Sequence, residues 1–289
     1  MCSILSDVYD RYRIVHGCVE HYKSQKQRFD DGGKGKWITT KDGNHVYLNE
    51  EGEPEKGNPY VIAAMNNSSP KYSAERLQKA VNPQTPEEAD NLYRKKSGEV
   101  WQSLLSDSKD ALVDFTGDGY VKVNSALRYG DFYDDDEVQD EIDSITSAIS
   151  KSKLEKDAWF RRGVELNALK NMLGASEEIS PDNLSSLVGK TGQEKGFLSC
   201  GSTFDTGIDS DVSLRIFAPA GTEALYAEPF SVNGRGEKRF WDGKTKQNTF
   251  SDEMETIIQR GSCFQCVGAR YRDDGVYEVD LAITSQKYD

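Results

Sequence analysis

The pattern of apolar residues changes near Trp159. Between residue 85 and that point, apolar residues recur every three or four positions, as on one face of an amphipathic helix. After it, the chain breaks into short runs rich in β-branched and aromatic residues and bounded by Gly, Asn or Asp, such as 213–217, 262–271 and 276–283. Helices followed by a group of strands predict an α+β domain and disfavour a doubly wound sheet, in which helices and strands would alternate.

Two helices are well defined by sequence. Thr85 is suited to capping the first, with Pro86 at the first helical position and Glu88 at the third. We expect this helix to continue through Leu92 and Trp101. The second is predicted by an apolar stripe, and its start falls in the acidic run 134–137, where negative charge is favoured by the helix dipole. The stripe consists of Val138, Ile142, Ile145 and Ile149.

Residues 1–70 are interpreted as an accessory unit with a β-hairpin. Asp42-Gly43 suits a two-residue hairpin turn, which would place Trp37 opposite Leu48 and Thr39 opposite Val46. A hairpin alone is marginally stable in water, so we expect it to pack on a neighbouring element. Residues 71–84 are interpreted as a linker, and residues 85–289 as the main domain.

Charge and residue usage disfavour several classes of partner. The chain has 49 acidic and 36 basic side chains and a net charge of −13, so nucleic acid is not an expected partner. No apolar stretch is long enough to span a membrane, and no membrane partner is expected. Residues 1–20 mix charged residues with apolar ones, unlike a signal peptide. We expect a protein that is cytoplasmic in its producer, or one delivered or secreted by a non-classical route.

The chain is poor in metal ligands. Its three histidines all lie near the N-terminus, and its five cysteines fit a reducing compartment better than a disulfide framework. Cys263 and Cys266 form a CxxC without the second pair that a zinc site needs, and no base lies near Cys200 in sequence. We therefore expect no metal, and catalysis by Glu, Arg or Ser.

Three short segments carry residues suited to chemistry. Arg161 and Arg162 lie in an expected strand, where a guanidinium fork can hold a diphosphate; an ion pair at a strand edge is the alternative. Ser199 lies in a Ser- and Gly-rich segment where its hydroxyl could orient a neighbouring side chain, although such segments are more often only turns. Glu253 and Glu255 would share one face of an extended chain, where mutual repulsion favours proton transfer; the alternative is a solvated acidic edge.

In this order, Phe160-Arg161, Phe197-Leu198-Ser199 and Glu253-Met254-Glu255 resemble the motifs of the Arg-Ser-Glu class of mono-ADP-ribosyltransferases. This class occurs in bacterial toxins and phages and includes actin-modifying clostridial exoenzymes and vertebrate ecto-enzymes. Flanking segments at 111–128, 145–162, 214–226 and 255–264 are similar to the toxin branch, so the resemblance covers about residues 85–289. One departure is Ser-Cys-Gly at 199–201, where the family usually has Ser-Thr-Ser; only Ser199 is therefore assigned a role.

The resemblance implies a fold and a substrate. Two roughly perpendicular β-sheets, flanked by N-terminal helices, would form a cleft for NAD. Arg161, helped by Arg162, would hold the diphosphate, and Arg161 fits the family position better. Glu255 would grip a ribose hydroxyl and stabilise the positive charge that develops on the sugar, while Ser199 would hold Glu255 in place.

The resemblance also implies a partner, a target protein with an acceptor arginine. Glu253 would deprotonate the acceptor guanidine, because family members with glutamate here generally modify arginine, whereas those with glutamine favour asparagine or glutamine. Phe250 matches an aromatic residue in the loop that recognises the target, and packing is an equal alternative. A separate delivery component is a further candidate partner. Two other functions stay open, namely an NAD glycohydrolase, in which water replaces arginine, and a catalytically inactive binding module.

Overall fold

The computed structural model describes residues 72, 74–132, 134–203, 206, 210–235, 240, 253–272 and 274–288, together with the backbone of two earlier strands. These strands, β1 (Lys36–Thr39) and β2 (His45–Leu48), form the expected antiparallel hairpin. The expected register is wrong by one residue, since Trp37 pairs with Tyr47 and Thr39 with His45. The closing pair leaves five residues between the strands, a loop length that hairpins also use, in place of a two-residue turn.

Five α-helices lie among the described residues between 74 and Trp159. They are α1 (Ala74–Lys79), α2 (Pro86–Ser103), α3 (Ser106–Asp114), α4 (Tyr120–Tyr129) and α5 (Asp136–Ser150). The caps and the apolar stripe in the sequence predicted two of them, α2 and α5. Thr85 accepts the N–H of Glu88 at 3.3 Å, which confirms the predicted start of α2. Asp135 caps α5, whose predicted apolar stripe is buried.

A kink at Gly117 separates α3 from α4. Gly117 has φ −97° and ψ −116°, outside the helical region, within the sequence FTGDG. Beyond the kink, the N–H of Tyr120 bonds to the carbonyl of Asp118 rather than to that of Thr116. The carbonyl of Thr116, next to the kink, accepts a hydrogen bond from Asn233 Nδ2 at 3.2 Å, outside the helix.

The second half of the chain forms a mixed sheet. In chain order its elements are β3 (Ala158–Val164), α6 (Leu166–Met172), β4 (Thr191–Glu194), β5 (Leu198–Gly201), β6 (Val212–Ala218), β7 (Ala224–Tyr226), β8 (Glu255–Ile258), β9 (Ser262–Tyr271) and β10 (Tyr277–Gln286). The three runs predicted as strands are β6, β9 and β10. The α+β class is thus confirmed.

The sheet has the order β4-β9-β10-β6-β3-β5-β8-β7. β6 and β10 are parallel, and the other neighbouring strands are antiparallel. Between β3 and β5 only the residues Arg161 and Gly201 pair. This single pair joins a five-stranded part to a three-stranded part, which correspond to the two sheets expected from the resemblance.

The two parts of the sheet share a core but differ in what covers them. Leu198 and Ile258 point into a core shared with β3, β6, β9 and β10. Leu225 and Ile257, on the opposite face of the three-stranded part, pack against the helices, including the buried stripe of α5. The helical layer therefore covers one face of β5, β8 and β7.

Residues 72 and 74–84, expected to be a linker, are attached to the sheet. Tyr72 and Leu77 are buried with Trp159 and Phe217. The backbone of Val81 bonds on both sides of Ala158, and Arg76 pairs with Asp157 at 2.6 Å. No helix among the described residues is long and apolar enough to cross a bilayer.

Candidate active site

The residues singled out by sequence meet where the two parts of the sheet join. Arg161 on β3 pairs with Gly201 on β5, and Gly201 pairs in turn with Glu255 on β8. Residues that pair across neighbouring strands share a face, and each strand adds about 5 Å, so the backbones of Arg161 and Glu255 lie about 10 Å apart. Gly201, which pairs with both residues, carries no side chain, and the side chain of Thr206 packs against it.

Glu255 is held by two serine hydroxyls. Ser199 Oγ donates to Glu255 Oε1 at 2.5 Å, and Ser231 Oγ donates to Glu255 Oε2 at 2.9 Å. Only 4% of the Glu255 surface is exposed. Burial raises the pKa of Glu255 to about 7; the Ser199 and Ser231 hydrogen bonds lower it, whereas Glu253 and Glu228 raise it.

Glu253 lies beside this carboxylate, although not as an alternating strand residue. Only Glu255 belongs to β8, and Met254 between them has φ +46°, so the chain turns there and the expected extended geometry is wrong. The Met254 side chain is fully buried with Ala89 and Tyr226, which holds this left-handed backbone in place. Burial also raises the pKa of Glu253.

Arg161 lies in a buried cluster of charges. It is 8% exposed, and burial together with the neighbouring Arg215 lowers its pKa to about 10, against the opposing effect of Asp280 and Glu278. Arg215 is paired with Asp280 at 2.5 Å and 2.8 Å. Arg161 therefore remains a cation at neutral pH on the same face as Glu255.

The two arginines differ in their placement. Neighbouring strand residues point to opposite faces, so Arg162 does not share the row of Arg161 and Glu255. Arg162 is half-buried, and its Nη1 donates to the backbone carbonyl of Ser199. This position suits support of β5 better than direct contact with a substrate.

Cys200, Phe250 and a metal site were also considered from the sequence. The Cys200 thiol is buried in the hydrophobic core on the face of the sheet opposite Ser199. This burial raises the pKa of the thiol to about 12. Phe250 lies outside the described residues. Among the described residues, no group of three or more His, Cys, Asp or Glu is arranged to hold a metal.

Several residues near the site were missed by the sequence reasoning. Ser231 lies 24 positions before Glu255 and has no motif around it that would identify it. Asn124 accepts the N–H of Phe197 at 2.8 Å and donates to its carbonyl at 3.2 Å, which ties α4 to the start of β5. Arg128 pairs with Glu194 at 2.8 Å. Asn124 and Arg128 are four residues apart, a spacing that places both on one helix face and could have identified them.

Comparison with known proteins identifies the family of this chain. Residues 90–282, more than half of the chain, match the model of the ADP-ribosyltransferase exoenzyme family. No curated protein matches the chain in sequence.

Solved structures show the same fold at low sequence identity. C3stau2 from S. aureus with NAD is 17% identical, with a TM-score of 0.56 over 72% of this chain and 99% of that one. The Clostridium limosum C3 exoenzyme is 17% identical, with a TM-score of 0.55 over 72% of this chain and 98% of that one. BECa of a C. perfringens binary enterotoxin, solved with NADH, is 18% identical, with a TM-score of 0.54 over 71% of this chain and 50% of that one. The family match, together with this fold, shows that the chain is a member of the ADP-ribosyltransferase exoenzyme family.

Proposed function

We propose that this protein transfers ADP-ribose from NAD to an arginine of a target protein, as a toxin or effector. The observation that carries the proposal is the Glu255 carboxylate, buried and held by Ser199, with Glu253 beside it and Arg161 in the same row. Family membership supports the transfer of ADP-ribose. The acceptor is inferred from Glu253.

The Arg161 guanidinium suits the diphosphate of NAD. It is a buried cation on the face that carries Glu255, and a guanidinium binds phosphate oxygens with two parallel donors. About 10 Å along the sheet separates it from Glu255, so the two side chains can contact different parts of one NAD molecule. The likeness to C3stau2, whose structure was solved with NAD, supports NAD as the substrate.

Glu255 suits the cleavage step. When the bond between ribose C1′ and the nicotinamide nitrogen breaks, its electron pair leaves with nicotinamide and positive charge develops on the sugar. A buried carboxylate near C1′ stabilises that charge strongly, because little water screens it. Glu255 must be ionised to do so, and the two serine hydrogen bonds favour the ionised form.

Glu253 suits the transfer step. The acceptor guanidine forms a bond to C1′ through one of its nitrogens and must lose a proton in doing so. Burial raises the pKa of Glu253, which makes its carboxylate a better proton acceptor than a solvated glutamate. The products are ADP-ribosyl-arginine, nicotinamide and a proton held by Glu253.

The test separates NAD cleavage from ADP-ribose transfer with two glutamate-to-glutamine variants. Purified wild type, Glu253→Gln, Glu255→Gln and the exposed control Glu155→Gln are incubated with labelled NAD, a cell lysate and, separately, the small guanidine agmatine. Nicotinamide release and labelled acceptor are both measured. We expect Glu255→Gln to lose both products at least 100-fold, and Glu253→Gln to lose acceptor labelling while it still releases nicotinamide.

The outcomes divide the functions that the sequence left open. Nicotinamide release by the wild type without any labelled acceptor would replace the transferase with an NAD glycohydrolase. Absence of both products and of NAD binding, in a folded protein, would favour a binding module. Labelling that resists loss of Glu253 would overturn arginine as the acceptor.

A further inference from the structure

We propose that Ser231 is a second positioning residue for Glu255, which acts together with Ser199 to orient the carboxylate in the cleft. This inference rests on the proposed function in so far as it assigns Glu255 to catalysis. Ser231 belongs to none of the three sequence motifs, and the fold brings it into contact with Glu255.

The two serines bond to different oxygens of the Glu255 carboxylate. Ser199 donates to Oε1 at 2.5 Å and Ser231 to Oε2 at 2.9 Å, so each oxygen receives one hydroxyl. A carboxylate has about four acceptor positions, which leaves about two for other donors such as a ribose hydroxyl. With both oxygens tied, the plane of the carboxylate cannot rotate freely, and the direction of its remaining lone pairs is set.

The proton of Ser231 has a defined direction. The backbone N–H of Asn233 donates to Ser231 Oγ at 3.2 Å and occupies one of its lone pairs. Ser231 is 1% exposed, so bulk water does not compete for its hydroxyl. Its O–H is thereby directed to Glu255, the acceptor at 2.9 Å.

The loop that carries Ser231, residues 227–235, is attached to the helical layer. The N–H of Val232 donates to Thr116 Oγ1 at 3.0 Å, and Asn233 Nδ2 donates to the Thr116 carbonyl at 3.2 Å. Thr116 directly precedes the kink at Gly117. The loop therefore docks on the helical layer next to this kink.

The same loop is also attached to β8 and α2. The backbone N–H groups of Ala227 and Glu228 donate to the carbonyl of Glu255 at 2.8 Å and 3.2 Å. Arg235 pairs with Asp90 of α2 at 3.1 Å and with Glu228 at 3.4 Å. Attachments on three sides fix the distance between Ser231 and Glu255, which is the requirement for a positioning residue.

The charges around Glu255 define what loss of Ser231 should do. Glu253 and Glu228 both disfavour its ionised form, as does burial, and the two hydroxyls oppose them. Loss of the Ser231 hydroxyl removes one of the two hydrogen bonds that lower the pKa of Glu255. The pKa of Glu255 should then rise further above its ordinary value.

The experiment measures the Glu255 pKa and catalysis in the same proteins, namely wild type, Ser231→Ala, Ser231→Thr and the control Ser262→Ala. Ser262 is a fully buried serine that donates to a backbone carbonyl at 2.8 Å, away from Glu255. The titration follows the carboxyl carbons of ¹³C-glutamate by NMR, with the Glu255 signal assigned by its loss in Glu255→Gln. Nicotinamide release gives kcat and KM for NAD.

For Ser231→Ala we expect the Glu255 pKa to rise by about one unit and kcat to fall about 10-fold, with KM changed less than about twofold. Ser231→Thr, which keeps the hydroxyl, and Ser262→Ala should both stay close to wild type. If Ser231→Ala does not fold, Ser231→Cys replaces it, because a thiol has a similar shape and is a weak donor.

A Glu255 pKa and a kcat that are unchanged in Ser231→Ala would overturn the proposal, as would an equal loss in Ser231→Thr. A wild type that releases no nicotinamide would instead refute the proposed function. The titration would still test the contact between Ser231 and Glu255 in that case.

Discussion

At the scale of single residues, three buried carboxyl groups have pKa values well above the ordinary range. Burial is the largest cause in each, and it raises the pKa of Glu255 and Glu228 to about 7 and that of Asp280 to about 6. Asp280 faces Arg215 and Glu228 faces Arg235, whereas the neutral hydroxyls of two serines donate to Glu255. A buried carboxylate without a cation is costly, so Glu255 should reduce stability wherever it is ionised.

Glu255→Gln should therefore stabilise the protein at high pH. Because the folded-state pKa is raised, the stability linked to protonation of Glu255 is fully present below the unfolded pKa of about 4.3 and is lost as pH rises through about 7. Glutamine does not titrate, so the stability of Glu255→Gln does not fall for this reason as the pH rises. The free energy of unfolding of Glu255→Gln relative to wild type should be higher at pH 8 than at pH 5 by about 2 kcal/mol.

Urea unfolding at the two pH values measures this difference. The exposed Glu155→Gln serves as the control and should show no such change. A difference for Glu255→Gln that is the same at both pH values would contradict a raised pKa.

At the scale of secondary-structure elements, β5 explains the departure of Ser-Cys-Gly from the family motif. Ser199 points to Glu255, Cys200 points to the opposite face and is buried in the core, and Gly201 returns to the face of Ser199. A Cβ at Gly201 would meet Thr206 Oγ1 at 2.3 Å and Thr206 Cβ at 2.9 Å. In this chain the side chain of Thr206 thus takes the space that a serine would need at position 201.

Gly201→Ala should disturb the face that carries Arg161 and Glu255. We expect a loss of about 1–3 kcal/mol in the free energy of unfolding, because the added methyl group displaces Thr206, and a rise in KM for NAD. Thr206→Gly in the same chain should recover much of the loss, since it removes the two closest atoms and leaves the backbone carbon of residue 206 at 3.0 Å. Chemical denaturation and NAD kinetics of the four proteins form a double-mutant cycle. Additive effects would show that Thr206 is not the obstacle.

At the scale of the whole molecule, the sheet is completed by residues that precede the family match. The match begins at residue 90, yet Tyr72 and Leu77 are buried against Trp159 and Phe217. Tyr72 also donates to the carbonyl of Ile283 in β10 at 2.8 Å. These contacts attach the residues between 72 and 84 to the five-stranded part of the sheet, next to the strand of Arg161.

Truncation at two positions tests where the catalytic unit begins. A chain of residues 71–289 should fold and release nicotinamide at a rate close to that of the full chain. A chain of residues 85–289 loses the buried Tyr72 and Leu77, and should be less stable by about 3 kcal/mol or more. Thermal unfolding and nicotinamide release of both chains are compared with those of residues 1–289. Equal stability of the two shortened chains would contradict a structural role for 71–84.

The features that could be predicted from sequence depend on interactions between residues close together in the chain. The cap at Thr85, the stripe of α5 and the runs of β6, β9 and β10 follow from hydrogen bonding and side-chain periodicity over a few residues, and all were predicted. The order of three motifs indicated the family, which the family match confirms. The hairpin register was wrong because the same Asp-Gly pair is compatible with more than one loop length.

Which distant residues meet depends on the tertiary structure. It placed Arg161, Gly201 and Glu255 in one row, and so decided that Arg161 rather than Arg162 shares the face of Glu255, because strand pairing aligns residues that are distant in sequence. It also brought Ser231 to Glu255 across 24 positions, through a loop docked on a helix kink. Burial of the site carboxylates, and hence their raised pKa values, depends on atoms contributed by the whole chain, which no short segment encodes.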